Sequence, residues 1–531
     1  MSADGGRFLG KPGRGRALGR VEGRRPTSGA SFKGTIAIAP VRDLKMMTTE
    51  TAGTISFHID GVWERPASRS LHPVSNPATG ATIAEVPYAE EADIDRAVRA
   101  AHEAFLRWRD VPVVDRVQVL YRYKTLLEER QDEVAAILTR ENGKTAADAK
   151  AEVRRGIQMV EVACGMPSLM MGDSLNDVAH EIDSKTIRQP LGVCAGITPF
   201  NFPAMVPMWM YPFAIACGNT FVLKPSEKVP LTPTRVVELL SDAGLPAGVM
   251  SLVHGDKQAV DALLHHPLVK AVSFVGSTPV AKYIYATAGA EGKRVQALGG
   301  AKNHLVVMPD ADLGKTVDAI IGSAFGAAGE RCLAGSVLVP IGEAAGPLLE
   351  RLVKRTRSLV VGDGAKPGVE MGPLVTSDHC RRVRSYIDKG VAEGARLLCD
   401  GRENRTSDGG FFLGPTIFDH VTPQMSIGRE EIFGPVLSVM RVPTLDDAIQ
   451  LVNRSPFGNA TSIFTSSGKA AREYASRIEV GMVGVNVGVA APMAFFPFAG
   501  WKNSFFGDLH AHGKDAVHFY TEQKVIMSRW F

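Results

Sequence analysis

Short apolar segments separated by amphipathic stretches dominate the chain between residues 192 and 307. Such segments, bounded by Gly, Pro or polar residues, are typical of buried parallel strands, and the stretches between them predict crossover helices. The predicted strands are Gly192–Ile197, Thr220–Leu223, Met250–His254, Ala271–Val275 and His304–Val307. This alternation predicts an α/β fold with a doubly wound parallel sheet that binds its ligands at the carboxyl ends of the strands.

A second alternating run begins near Cys332 and predicts a second α/β lobe. The run passes through residues 337–339, 351–360, 416–418, 436–442 and 462–464. We predict two domains from the two runs, one over residues 48–305 and one over residues 306–505, with Cys332 at their junction.

Helical spacing of apolar residues predicts three helices ahead of the first run. One covers residues 94–108, one runs from Val117 to Leu138, and one runs from Thr145 to about Val162. At the other end of the chain, the segment from Val517 to Trp530 is predicted to be an edge strand that can pair with another subunit.

Composition and charge restrict the classes of function. The net charge is +4, 45% of the residues are hydrophobic and 22% are charged, and no basic patch indicates nucleic acid as a partner. The six cysteines form no CxxC pair and no zinc-like spacing with histidine, which favours a reducing compartment and predicts no metal site. His510 and His512 are therefore predicted to be surface residues.

The uncharged run at residues 201–223 has the length of a membrane span, but three prolines interrupt it. We therefore predict a buried helix with an irregular start and no membrane association.

Residues 1–47 are rich in Arg and Gly and poor in acids. Their scattered Gly and Pro residues disrupt the amphipathic helix of a mitochondrial transit peptide. We expect a disordered extension or a later start codon, and a cytoplasmic protein rather than a protein of the mitochondrial matrix.

One cysteine has unusual neighbours. Cys332 follows a Gly- and Ala-rich stretch at residues 326–329, and Arg331 directly precedes it. Small neighbours leave room beside the sulfur and let backbone N–H groups approach the group that it attacks. An adjacent guanidinium favours the thiolate or holds an anionic substrate group. The alternative is a buried core cysteine on a Gly/Ala-rich helix.

Four further polar stretches coincide with strand ends or turns. A buried Asn is costly unless its amide has a role, and a Gly-Ser-Thr turn that opens a helix offers free N–H groups to a phosphate. The four stretches are Thr198–Pro203, Phe221–Glu227, Phe274–Thr278 and Glu430–Pro435. Each is a weak signal alone, but their order and their position at strand ends indicate one composite site.

With these motifs in this order, the chain resembles the aldehyde dehydrogenase superfamily from about Ile55 to the C-terminus. The resemblance implies an aldehyde-dehydrogenase-like α/β fold. In it, residues 48–305 form a Rossmann-type NAD-binding domain and residues 306–505 form the catalytic domain. A small oligomerisation β-element lies near residues 173–190 and 506–531, and the implied assembly is a homotetramer built as a dimer of dimers.

The resemblance also implies the chemistry of the site. Cys332 matches the nucleophile that adds to an aldehyde, forms a thiohemiacetal and becomes a thioester after hydride transfer. Asn201 and the backbone N–H of Cys332 match the oxyanion hole, in which one donor is typically worth about 3 kcal/mol.

NAD is the cofactor that the resemblance implies. Lys224 and Glu227 match the pair that hydrogen-bonds the adenosine ribose. A carboxylate there favours NAD over NADP, and Lys228 weakens that preference. The other cofactor-binding residues that it implies are Thr198, Phe200, Ser277, Gly299, Glu431 and Phe433.

The chain departs from hydrolytic members of the superfamily at residues 297–300. Those members have Glu-Leu-Gly-Gly, whose glutamate activates water against the thioester, whereas this chain has Ala-Leu-Gly-Gly. Because Ala297 cannot accept a proton, we expect the thiol of CoA to take the acyl group. The alternative is that another acid acts as the base, or that hydrolysis is merely slow.

Residues 300–304 and 492–498 resemble a CoA-acylating branch that oxidises malonate semialdehyde or methylmalonate semialdehyde and loses the carboxylate. A substrate with an anion near its aldehyde needs a positive clamp, which Arg331 and Arg155 match. Arg154 takes the place of Arg155 if the helix register slips by one residue. A non-catalytic binding protein of the same fold is a third hypothesis, and it predicts degenerate motifs.

Overall fold

Residues 53–66, 70–403 and 409–531 are described by a computed structural model. All of them belong to the unit Thr49–Phe531. The extension predicted at residues 1–47 lies outside the described residues.

An eight-stranded sheet is built around five parallel strands. In spatial order these are Arg294–Leu298, Val269–Val275, Val193–Ile197, Thr220–Lys224 and Met250–Leu252. The chain begins in the central strand, runs outward to one side and then resumes on the other side, so the sheet is doubly wound and the predicted α/β class is confirmed. Antiparallel strands complete the two edges, namely Phe505–Phe506 next to Arg294–Leu298, and Phe57–Ile59 followed by Val62–Glu64 next to Met250–Leu252.

A seven-stranded sheet contains the second run. Its strands in spatial order are Arg396–Cys399, Thr416–Asp419, Val436–Val439, Gly335–Pro340, Asn303–Val307, Ala460–Phe464 and Met482–Val485. All neighbours are parallel except the first pair. Most of its central strands are buried along their whole length, as expected for parallel strands covered on both faces.

Two strand assignments made from the sequence need correction. The strand Asn303–Val307 was expected in the first sheet, but it lies in the middle of the seven-stranded sheet. The strand Arg294–Leu298 was not predicted and takes that place beside Val269–Val275. The chain therefore passes from one sheet to the other between residues 298 and 303.

Three smaller sheets lie outside these two. One pairs Thr521–Arg529 with Ile182–Pro190, which in turn pairs with Ser174–Ala179, all antiparallel. The other two consist of Gly53–Thr54, Thr82–Pro87 and Leu71–Ser75, and of Phe457–Gly458 with Trp501–Lys502.

Helices fill most of the intervening chain. The described α-helices are Glu91–Trp108, Val113–Glu129, Gln131–Asn142, Ala146–Cys164, Met166–Leu169, Met205–Met208, Tyr211–Cys217, Leu231–Asp242, Lys257–His265, Thr278–Ala290, Leu313–Phe325, Ala345–Arg357, Ser377–Ala392, Ser426–Arg429, Leu445–Asn453, Gly468–Arg477 and Gly513–Phe519. The single helix predicted from Val117 to Leu138 is in fact two helices that meet at Arg130, where φ is −107° and ψ is 15°. The acidic residues that follow Arg130 favour a new helix N-terminus there.

The C-terminal segment also differs from its prediction. Its edge strand begins only at Thr521, because the residues before it form the helix Gly513–Phe519. The apolar side chains of that helix, Val517 and Phe519 among them, pack into the main hydrophobic core rather than facing outward.

The uncharged run at residues 201–223 folds into two short helices and a strand, in which every residue except Met205 is buried. Throughout the part of the chain that the structure describes, no helix combines the length and the apolarity that crossing a membrane requires.

Candidate active site

The order of the parallel strands reverses between Val193–Ile197 and Val269–Val275. Ligands of doubly wound sheets bind in the crevice at the carboxyl ends of such strands. Thr198 follows the first strand and Gly276 follows the second, so two of the polar stretches singled out in the sequence lie side by side at this crevice.

Cys332 follows a turn with an unusual backbone. Three successive residues are left-handed, with φ of +48° at Ala327, +53° at Ala328 and +71° at Gly329. A Cβ at Gly329 would lie 2.3 Å from the Gly434 carbonyl oxygen, so only glycine fits there. Left-handed alanines cost roughly 1 kcal/mol or more each, and surrounding contacts must hold them. The alternative of a core cysteine on a helix is wrong, because Cys332 lies beyond the helix Leu313–Phe325 and is half-buried.

Two asparagines that the sequence did not single out hold the cysteine in place. The side-chain amides of Asn303 and Asn459 each donate to the Cys332 carbonyl oxygen at 2.9 Å. Asn303 also accepts a hydrogen bond from the Ala460 N–H at 3.1 Å. Both asparagines lie at the start of strands or next to them, which is a weak signal in a single sequence.

The Cys332 side of the site is a small, partly enclosed cavity. Its lining includes Cys332, Ala301, Asn303, Gly329, Arg331, Glu431 and Phe433. Burial, reinforced by the Glu431 carboxylate, raises the pKa of the Cys332 thiol to about 12. Burial also raises the pKa of Glu431 to about 7. The unliganded protein therefore holds Cys332 as a thiol at neutral pH, next to a carboxyl group that titrates near neutrality.

Asn201 reaches the same turn from the loop after strand Val193–Ile197. It is buried, and its side-chain amide donates to the Glu330 carbonyl oxygen at 3.0 Å. An Asn amide has two N–H groups, so this bond orients the amide and leaves the second N–H for another acceptor. The structure thus brings Asn201 next to the residues that precede Cys332.

The Glu330 side chain joins the turn to the segment before helix Ser377–Ala392. Its Oε1 accepts the Val375 N–H at 3.3 Å and lies 3.5 Å from His379 Nε2. Burial raises the pKa of Glu330 to about 8. The folded protein consequently keeps this carboxyl protonated at pH values where the unfolded chain releases the proton.

A pH-dependent stability follows from Glu330. Between pH 4.5 and about 8 the unfolded state holds fewer protons at this residue than the native state, so the free energy of unfolding falls as pH rises, by up to about 1.4 kcal/mol per pH unit. Glu330→Gln removes this dependence. Urea unfolding at pH 5.5 and pH 8.5 should show the variant gaining stability over the natural protein at the higher pH. The exposed control Glu350→Gln should follow the natural protein at both. An equal stability difference between Glu330→Gln and the natural protein at both pH values would contradict the assignment.

Two residues, Ala297 and Leu298, lie where hydrolytic members of the superfamily begin the Glu-Leu-Gly-Gly sequence. Ala297 is fully buried in an apolar cluster with Phe274 and Ile284. Leu298, the next residue, lies in the different cluster against which Cys332 packs. Adjacent strand residues face opposite sides of a sheet, which is why Ala297 and Leu298 pack into different clusters. Neither side chain can accept a proton.

The two candidate arginines on helix Ala146–Cys164 point in different directions. Arg154 pairs with Glu128 at 3.0 Å and with Glu161 at 3.3 Å. The Arg155 guanidinium lies 3.4 and 3.5 Å from two carbonyl oxygens of the loop 491–493. The helix register therefore places Arg155, not Arg154, beside that loop, although Arg155 does not line the Cys332 cavity.

Arg331 is already engaged by the protein. Its guanidinium pairs with Asp148 at 2.8 Å and donates to the Gly322 carbonyl oxygen at 3.1 Å. Asp148 also accepts the Ala327 N–H at 3.3 Å, so it ties the left-handed turn to Arg331. Arg331 lines the cavity, and five N–H donors leave it capacity for a further anion.

The predicted ribose pair is present at the end of strand Thr220–Lys224. Lys224 Nζ lies 3.4 Å from Glu227 Oε2, and Lys224 is buried whereas Glu227 is part-exposed. Burial lowers the pKa of Lys224. Lys228 points elsewhere, with its ammonium 5.1 Å from the centroid of the Phe200 ring, so its charge is directed into the crevice.

The crevice also contains free polar groups and closely packed backbone. The buried Thr198 hydroxyl has no hydrogen-bond partner among the residues that the structure describes. Ser277 begins the helix Thr278–Ala290 without a side-chain cap, which leaves the first N–H groups of that helix available to an anion. A Cβ at Gly299 would lie 2.7 Å from the Asn503 carbonyl oxygen, so glycine is needed at that position.

An aromatic cluster forms the opposite wall. The Phe200 and Phe433 rings meet edge to face with centroids 5.8 Å apart. His379, which the sequence did not single out, lies 6.1 Å from Phe200 and donates from Nε2 to the Phe433 carbonyl oxygen at 2.6 Å. Burial lowers the pKa of His379 to about 4, so the ring is neutral at pH 7. Glu431 accepts the Ala301 N–H at 2.9 Å between this cluster and Cys332.

The prediction that His512 is a surface residue is wrong. It is buried against the Trp209 and Phe498 rings, at 5.3 and 6.1 Å, and its Nδ1 donates to the Phe496 carbonyl oxygen at 2.6 Å. Among the described residues, no group of three or more His, Cys, Asp or Glu side chains is arranged to hold a metal ion.

The fold and this arrangement place the protein in a known class. Residues 63–526 match the aldehyde dehydrogenase family, and the chain belongs to that family. It is 53% identical over 485 residues to the malonate-semialdehyde dehydrogenase of Halalkalibacterium halodurans, covering 91% of this chain and all of the relative.

Two solved structures are similar over nearly their whole length. One is the methylmalonate-semialdehyde dehydrogenase of Oceanimonas doudoroffii, at 50% identity and a TM-score of 0.89, covering 90% of this chain and 98% of that one. The other, from Sinorhizobium meliloti 1021, was solved with NAD bound and is provisionally assigned to the same class of enzyme. It has 47% identity and a TM-score of 0.89 over 90% of this chain and 98% of that one.

Proposed function

We propose that the protein oxidises malonate semialdehyde or methylmalonate semialdehyde with NAD and transfers the acyl group to CoA. The products are acetyl-CoA or propionyl-CoA, after loss of the carboxylate. Two observations support the proposal most directly. Cys332 lines a cavity, and residues 297 and 298 are Ala and Leu, which cannot act as the base that activates water. Relatives that are 53% and 50% identical carry the names malonate-semialdehyde and methylmalonate-semialdehyde dehydrogenase.

NAD fits the crevice at the strand ends. The unpaired Thr198 hydroxyl, the open N-terminus of helix Thr278–Ala290 and the close-packed Gly299 suit a pyrophosphate that approaches the backbone. Lys224 and Glu227 would hold the adenosine ribose. Glu431 and Phe433 would hold the nicotinamide ribose, with Phe200, Lys228 and Ser277 lining the remainder. When bound, NAD accepts the hydride from the carbon that Cys332 has attacked.

The chain's own residues perform the covalent step. The Cys332 thiol releases its proton to solvent and its sulfur bonds to the aldehyde carbon, while the C=O π electrons move to the oxygen, which gains negative charge. The free N–H of the Asn201 amide and the Cys332 backbone N–H stabilise that oxygen. After hydride leaves the carbon, the acyl group remains on Cys332 as a thioester.

The substrate carboxylate is the group that Arg155 and Arg331 would hold. Arg331 lines the Cys332 cavity, and the Arg155 guanidinium contacts the loop 491–493. A guanidinium binds a carboxylate in a fixed fork, which also orients the aldehyde relative to the sulfur.

The dependence on CoA tests this proposal. With NAD and malonate semialdehyde but no CoA, we expect a burst of about one NADH per active site followed by a slow rate, because water is poorly activated against the thioester. CoA should restore continuous turnover and yield acetyl-CoA. Desulfo-CoA, which lacks only the attacking thiol, should not. Equal continuous NADH formation with and without CoA would overturn the CoA-acylating assignment.

One observation favours a second candidate, a hydrolytic semialdehyde dehydrogenase that releases the free acid. Glu431 shares the cavity with Cys332, and its pKa near 7 lets it accept a proton at neutral pH. The CoA-dependence assay distinguishes the two candidates. If Glu431 acts as the base, NADH formation should continue without CoA and the free acid should be released.

The proposal also covers how the subunits assemble and in which compartment the protein lies. The antiparallel sheet formed by residues 174–190 and 521–529 exposes Leu175, Val525 and Met527. We propose that it serves as the oligomerisation element of a homotetramer. The six cysteines are all free, which suits a reducing cytoplasm. The NAD-binding and catalytic domain limits at residues 305 and 306 remain predictions.

A further inference from the structure

A buried ion pair between Lys144 and Glu152 lies behind the active-site loop, and the proposed chemistry does not use it. The two side chains are only 3% and 1% exposed. Removing two charges from water is costly unless each finds additional partners. Neither residue lines the Cys332 cavity, so their partners indicate what the pair does.

Both members of the pair bind the loop that carries Asn201. The Lys144 ammonium donates to the Glu152 carboxylate and to the Asn201 carbonyl oxygen, and it lies 3.9 Å from the centroid of the Phe202 ring. Glu152 Oε1 accepts the backbone N–H groups of residues 204 and 205 at 3.0 and 3.2 Å. Lys144 and Glu152 therefore hydrogen-bond to the loop on both sides of Phe202.

A third contact comes from the same support. The side-chain amide of Asn142 donates to the Phe200 carbonyl oxygen at 2.9 Å. Asn142 ends one helix and Glu152 belongs to the next, Ala146–Cys164, so the loop is fastened to one packed helical unit. The Asn201 amide, by contrast, extends away from that support to the Glu330 carbonyl oxygen beside Cys332.

On the basis of the proposed function, we propose that Lys144 and Glu152 are positioning residues that hold the Asn201 amide where the oxyanion forms. Lys144 fixes the carbonyl of Asn201 itself, which sets the orientation of that peptide and the origin of the side chain. Glu152 fixes the two N–H groups that follow. A displacement of about 1 Å at an oriented catalytic group costs roughly 100-fold in rate, so the loop needs such an anchor.

Glu152→Gln tests this role. The amide still accepts the two backbone N–H groups, but it presents a donor to the Lys144 ammonium and so disturbs the bond to the Asn201 carbonyl. The NADH burst rate should fall about 100-fold. Alkylation of Cys332 by iodoacetamide should stay within about twofold of the natural rate, because displacement at a saturated carbon creates no oxyanion.

A matched control is available nearby. Glu141 is also fully buried, and it accepts two backbone N–H groups, those of residues 231 and 232, each at 2.7 Å. It anchors the start of helix Leu231–Asp242 rather than the Asn201 loop. Glu141→Gln should keep both the burst rate and the alkylation rate.

A double-mutant cycle separates positioning from a general loss of structure. In an Asn201→Ala background, Glu152→Gln should lower the burst rate by less than about threefold, because the group it positions is gone. If Glu152→Gln folds poorly, Lys144→Met/Glu152→Gln, which leaves no buried unpaired charge, takes its place. The inference is wrong if the natural protein gives its NADH burst but the losses from Glu152→Gln and Asn201→Ala are additive. It is also wrong if the alkylation rate falls together with the burst rate. A wild-type enzyme that gives no NADH burst would overturn the proposed function and this inference with it.

Discussion

Cys332→Ala is expected to lower NADH formation from malonate semialdehyde by at least about 10⁴-fold. Cys332 lines the cavity and is the proposed nucleophile, so without its sulfur no thiohemiacetal would form to release a hydride. The variant should still fold, because Cys332 is half-buried and its backbone carbonyl keeps both asparagine donors. Steady-state NADH absorbance and near-UV circular dichroism would measure the two properties.

Cys399 provides the matched control, since it is the other partly exposed cysteine. Cys399→Ala should retain activity, and mass spectrometry after limited iodoacetamide treatment should show alkylation at residue 332 in that variant. Comparable losses of activity in the two alanine variants would show that oxidation does not depend on Cys332 specifically.

Arg155→Leu is expected to raise the KM for malonate semialdehyde by about 10- to 150-fold, the value of a hydrogen-bonded charge pair of 1.5–3 kcal/mol. The KM for propionaldehyde, which has no carboxylate, should change far less. Arg331→Leu should likewise raise the KM for malonate semialdehyde more than the KM for propionaldehyde. It should also weaken the turn before Cys332, because Asp148 loses its cation. Initial-rate measurements with both aldehydes give the comparison.

Arg154→Leu is the control, because Arg154 is the neighbouring residue on the same helix and pairs with Glu128 and Glu161 instead of contacting the loop 491–493. It should leave both KM values unchanged. An Arg155→Leu variant that affects the two aldehydes equally would argue against a carboxylate-binding role.

The α/β class was predictable from the sequence because fully buried parallel strands are short, apolar and bounded by turn residues. The strand Thr220–Lys224 came within one residue of its predicted limits. The strand Arg294–Leu298 was missed because it contains Arg and Gln, and its buried Gln296 breaks the apolar pattern. The break at Arg130 was missed because the apolar spacing continues across it.

The site was predictable only where chemistry and strand ends coincide. Cys332 stood out because of its small neighbours, and Asn201 because a buried Asn is costly without a role. Glu431 stood out because its polar stretch lies at a turn in the order that the family resemblance requires. Lys144, Glu152 and the two asparagines on the Cys332 carbonyl could not be found in this way. Their partners are distant in the chain, and a lone Lys or Glu on a helix usually faces solvent.

The three-stranded sheet has a consequence for how the protein is made. Arg188 and Thr521 lie on paired strands but are 333 residues apart in the chain. Domains emerge from the ribosome N-terminal end first. The strand Ile182–Pro190 therefore keeps one edge unpaired until residues 521–529 have been synthesised, and an unpaired strand edge is open to pairing with other chains.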